Sequence, residues 1–73
     1  MTAVTVLTGK VVDISANGAC IIGNIPLTTF TVMPWRLELP GVPVSLAVLA
    51  QVRWVKRLSP QDDGFRIGLS FLT

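Results

Sequence analysis

Between residues 44 and 57 apolar side chains recur at every second position, Leu46, Val48, Ala50, Val52 and Trp54, with Gln51, Arg53 and Arg57 on the other side. A period of two belongs to a strand with one face buried, and helices do not produce it. The pattern returns over residues 29 to 39, where Met33, Trp35, Leu37 and Leu39 alternate with Arg36 and Glu38. It returns again over residues 65 to 72, where Phe65, Ile67, Leu69 and Phe71 alternate with Arg66, Gly68 and Ser70. Earlier runs at 4 to 14 and 18 to 23 are β-like as well, with Gly9 read as a bulge or bend and Pro34 as an edge or bulge position.

Turn chemistry punctuates these runs at Asn17-Gly18, Gly23-Asn24-Ile25-Pro26, Pro40-Gly41-Val42-Pro43 and the polar hairpin loop Ser59 to Gly64. With no convincing helix between them, the expected fold is all-β. It is a single domain over residues 1–73 forming a small antiparallel β-barrel of about five to six strands. Trp35 and Trp54 both fall on apolar stripes, so core packing is their expected place. Cys20, the one cysteine, is expected to be a small buried hydrophobe, and its solitude fits a reducing cytoplasm.

At 73 residues the chain is near the lower size at which a hydrophobic core suffices, yet 51% of it is hydrophobic and its mean hydropathy is +0.66. A barrel this small leaves part of that apolar surface outside, which points to a homo-oligomer or a protein partner. No run approaches the ~18 apolar residues of a spanning helix, and the start Met1-Thr2-Ala3-Val4-Thr5 does not read as a secretory signal. The net charge of +2 is too thin for non-specific nucleic-acid binding but adequate for one small anionic ligand.

Asp13-Ile14-Ser15-Ala16-Asn17-Gly18 joins two β-like runs. Asn17 and Gly18 tolerate positive φ, as a tight hairpin turn requires. Asp13 and Ser15, two apart on an extended strand, emerge on one face. A carboxylate beside a hydroxyl suits a ligand offering an amidine-like donor edge and a phosphate, as a guanine nucleotide does. The same residues also suit a plain Asx or Ser turn that ties the hairpin together.

Asp13-x-Ser15-x-x-Gly18, followed by Ala19-Cys20-Ile21-Ile22, resembles a signature of the PilZ domain, a bacterial β-barrel module that binds cyclic di-GMP. Val52-Arg53-Trp54-Val55 and Arg66-Ile67-Gly68-Leu69-Ser70-Phe71 resemble two later strands of that family, in the same order. The resemblance implies that Asp13 accepts from the guanine N1 and N2 hydrogens, that Ser15 donates to phosphate or base, and that Gly18 permits close approach of ligand and backbone. Binding members also carry an Arg-x-x-x-Arg segment about twenty residues before this signature, and none of the twelve residues before Asp13 is arginine. Family members often end in a helix, for which the residues up to Thr73 offer no segment.

Arg53 and Arg57 have the Arg-x-x-x-Arg spacing but follow the signature inside a strand. They are expected to share one exterior face with Gln51, either as a small anion ledge or as solvated exterior. No histidine and no second cysteine are present, so Cys-His and Ser-His pairs and metal clusters cannot be built and catalysis is not expected. Two functions follow. One is a non-enzymatic cytoplasmic signalling module that binds cyclic di-GMP through Asp13, Ser15, Gly18, Arg53 and Arg57, or a degenerate descendant of one. The other is an interaction barrel that binds no nucleotide. Arginines supplied by a second copy or a partner would reconcile the two.

Overall fold

The computed structural model describes residues 6–72, with Asp62 given by its backbone alone. Five strands form, β1 (Leu7–Ile14), β2 (Gly18–Gly23), β3 (Val32–Glu38), β4 (Ser45–Ser59) and β5 (Asp62–Phe71), and no helix occurs among the described residues. They close into a barrel in the order β1-β2-β5-β4-β3. Four of the ladders are antiparallel, as expected; the closing seam pairs β1 and β3 in parallel, Leu7 opposite Trp35 and Gly9 opposite Leu37. Pro34 sits just before that seam begins, where its missing N–H costs no ladder bond to β1.

The period-two pattern of β3 is realised as read. Trp35 and Leu37 are buried, Met33 and Leu39 pack against the core, and Arg36 and Glu38 are exposed. Ile21, Leu37, Val52 and Ile67 are fully enclosed at the barrel centre, and burying each contributes about 1.5–3 kcal/mol. The indole nitrogen of Trp35 is buried without a hydrogen-bond partner.

Several local expectations are corrected. The polar loop from Ser59 to Gly64 is mostly strand: Ser59 pairs with Asp62, leaving only Pro60 and Gln61 in the turn. The third strand begins at Val32, because Thr29 and Phe30 turn the chain first. Residues 4 and 5 of the first expected strand lie outside the described residues. Gly9 stays in the ladder, pressed against the Ile21 side chain, and the β1 irregularity falls at Val12 instead.

A second bulge, at Arg53 in β4, corrects the fourth strand's stripe. Val52 faces Leu69 and Trp54 faces Gly68, so one residue of β4 is extra and the inside–outside alternation changes phase. Before the bulge Ala50 and Val52 point inward; after it Val55, opposite buried Ile67, packs against the core. Trp54 is therefore carried outward and is 42% exposed, and Leu46, near the strand's start, is 40% exposed.

Candidate ligand-binding face

The outer surface of β2, β5 and β4 is organised in rows of paired residues, successive rows lying ~7 Å apart along the strands. Gly18, Ser70 and Gln51 make the first row, beside the Ser15–Asn17 turn. Asp13, Cys20, Gly68 and Trp54 make the second, crossing four strands. Lys10, Ile22, Arg66 and Lys56 make the third, carrying three cations. An open depression over the first two rows is lined by Ser15, Asn17, Gly18, Cys20, Arg53, Trp54 and Ser70. Gly68 forms its floor, and a Cβ there would run into the Trp54 indole, so the ring lies directly on the glycine backbone.

The Val12 bulge places Asp13 opposite Cys20 on the outer face, and Asp13 is exposed. Ser15 has left the ladder: its N–H donates to the Gly18 carbonyl at 2.8 Å and its hydroxyl donates to the same oxygen at 3.4 Å. The second bond is long and weak, so the hydroxyl can turn toward a ligand at little cost. Neither Asn17 nor Gly18 adopts positive φ, contrary to the turn expected. What requires a glycine at 18 is β5, since a Cβ would meet the carbonyl oxygen of Leu69. The turn is further tied to β5 by Phe71, whose N–H donates to the Asn17 carbonyl at 2.8 Å.

Arg53 and Arg57 do not share a face. The bulge keeps Arg53 beside Gln51, to whose Oε1 its Nη1 donates at 3.3 Å. Arg57 lies past the phase change, opposite Phe65, on the side of the ladder that carries Val55. Lys56 and Arg66 instead form the outward cationic pair. The alternation of Arg66, Gly68 and Ser70 against Ile67 and Leu69 already marked Arg66 as outward; Lys56 was hidden by the bulge.

Cys20 is half-buried on the outer face and not a core residue, as its pairing with Asp13 and Gly68 dictates. Partial burial pushes its thiol pKa up, Arg66 pulls it down, and Asp13 pushes it up. The one thiol thus feels both the cationic row and the carboxylate.

Phe30 reaches the same region from the β2–β3 connection. Its N–H donates to the Val52 carbonyl at 2.6 Å, its own carbonyl accepts from Gln51 Nε2 at 3.3 Å, and the Arg53 guanidinium lies 5.9 Å from its ring centroid. No signal in the sequence marked Phe30, because a lone aromatic among β-branched Thr28, Thr29, Thr31 and Val32 reads as strand.

The outer face thus brings a carboxylate, a hydroxyl turn, an exposed indole and several cations onto one sheet. The family model of the PilZ domain matches residues 1–73, the whole chain. No curated protein and no solved structure matches it significantly. Members of the matched family are generally non-enzymatic signalling modules that bind cyclic di-GMP. By its barrel, and by a match that spans its entire length, the chain belongs to the PilZ domain family.

Proposed function

We propose that the outer face of β2, β5 and β4 is a cyclic di-GMP site that draws its cations from the barrel itself. The observation that carries this reading is that Arg53, Trp54 and the Ser15–Gly18 turn surround one depression, with Asp13 in the same row as Trp54 and Arg66 and Lys56 in the next row of the same outer face. Asp13 accepts from the guanine N1 and N2 hydrogens, being an acceptor-only group with no competing partner among the described hydrogen bonds. Ser15 gives its weakly held hydroxyl to a phosphate or base. Gly18 keeps the backbone low at the rim, and the Trp54 indole offers a flat apolar surface to a base.

Arg66 and Lys56 meet the phosphates from the third row, and Arg53 meets them from the bulge. These groups place positive charge on the barrel itself, beside the carboxylate and the hydroxyl turn. Arg57 contributes at most long-range charge from its position. The module works by binding and not by catalysis, in the cytoplasm where its single cysteine stays reduced.

Calorimetric titration of cyclic di-GMP into the chain is expected to give saturable heat. Asp13→Ala should weaken binding by about 10- to 100-fold, the size of a charge-assisted hydrogen bond of roughly 1.5–3 kcal/mol. No heat from the wild type at high micromolar ligand would overturn the nucleotide reading.

A second reading is favoured by one observation. Phe30, Val32, Leu49 and Leu72 are all exposed around one end of β4, Val32 opposite Gln51 on the β3 side and the Leu72 N–H donating to the Leu49 carbonyl from the β5 side. Such a patch suits a protein partner or a second copy. Light scattering at micromolar concentration distinguishes them: a stable assembly supports self-association, and a strict monomer argues against it.

A further inference from the structure

We propose that Phe30 is a positioning residue for that same site, holding the Arg53 guanidinium as a flat platform on which a purine base stacks. The proposal rests on the cyclic di-GMP reading and extends it to a residue outside the family signatures.

Phe30 is doubly unfavourable where it stands. It has φ 68°, the left-handed region that bulky aromatic residues avoid, and it is the one non-glycine residue with positive φ among those described. Phe30 is 65% exposed, so little burial offsets the strain. A glycine or asparagine would make the same turn with less steric strain.

The ring's neighbour is Arg53. Gln51 couples the two, donating from Nε2 to the Phe30 carbonyl and accepting from Arg53 Nη1, both at 3.3 Å. With the ring centroid 5.9 Å from the guanidinium carbon and the Gln51 oxygen 3.3 Å from Nη1, a long, exposed cationic side chain at a bulge is contacted from two directions at the rim of the Trp54 depression. A guanidinium held flat is a stacking surface for a nucleobase, and its charge favours a base that carries phosphate. Pre-ordering it also removes rotamer entropy that binding would otherwise cost.

Three variants test this, each measured by thermal melting and by calorimetry with cyclic di-GMP. Phe30→Gly removes both the ring and the backbone strain. It is expected to melt at the same or a higher temperature while binding about 3- to 30-fold more weakly, the range of a cation–π contact. Phe30→Leu keeps apolar bulk and the strained turn but no π face, and should lose affinity likewise. Phe30→Tyr keeps the face and should bind as the wild type does. Wild-type affinity in Phe30→Gly or Phe30→Leu would overturn the platform and leave the site reading intact. A wild type that gives no heat would overturn both.

Discussion

Two glycines on the proposed face are required for different reasons, and single substitutions separate them. At Gly18 an added methyl meets the Leu69 carbonyl oxygen, and backbone cannot yield cheaply. Gly18→Ala should lower stability by about 1–3 kcal/mol in urea denaturation. At Gly68 the obstacle is the Trp54 indole, a side chain that is 42% exposed and can swing away. Gly68→Ala should cost less than that but shift Trp54 fluorescence and weaken ligand binding. Cys20 supplies a ligand-free probe of the same surface. Because its thiol is pushed up in the folded chain, the pH profile of its alkylation should have a midpoint above that of a free thiol. Arg66→Ala should raise that midpoint further and Asp13→Ala should lower it, following the sign of each charge's effect. The linked stability is complete below the unfolded thiol's pKa and is lost as pH rises through the folded one. Unchanged midpoints would mean that these charges do not converge on Cys20.

The strands were legible in the sequence wherever alternation ran unbroken. β2 and β3 follow their apolar periodicity, and Trp35, Leu37, Ile67 and Leu69 are buried where the pattern put them. Bulges escaped, because an extra residue leaves no mark in composition. Without the one at Arg53, Trp54 would be a core residue and Arg57 would stand beside Arg53. The Val12 bulge likewise decides where Asp13 points. Turn chemistry marked the right neighbourhood but neither the turn residues nor their geometry: the chain bends at Ala16 and Asn17, Gly18 already belongs to β2, and close packing against β5 is what requires the glycine. The parallel seam had no local signal, since a long-range pairing is written in no single segment. It can be tested at Leu37, fully buried where β3 meets β1 on one side and β4 on the other. Leu37→Ala should cost about 2–5 kcal/mol in urea denaturation. A cost below about 1 kcal/mol would contradict a closed barrel.

A barrel of 73 residues has little stability in reserve, and a ligand that binds only the folded state adds to it by mass action. Cyclic di-GMP at a hundredfold excess over Kd should stabilise the chain by about 2.7 kcal/mol, seen as a raised melting temperature. The cations proposed to meet the ligand, Arg53, Lys56 and Arg66, are exposed, so binding should weaken as salt is raised. The proposed site lies on the β2–β5–β4 exterior, and exposed Val32, Leu49 and Leu72 adjoin it at one end of β4. The most direct test is amide NMR of the chain during cyclic di-GMP titration. Saturable shifts are expected in Asp13, Ser15, Gly18, Cys20, Arg53, Trp54, Lys56, Arg66, Gly68 and Ser70, with Arg36 and Ala47 on the β3–β4 exterior unmoved. Shifts confined to the β3–β4 exterior, or none at saturating ligand, would contradict the proposed site.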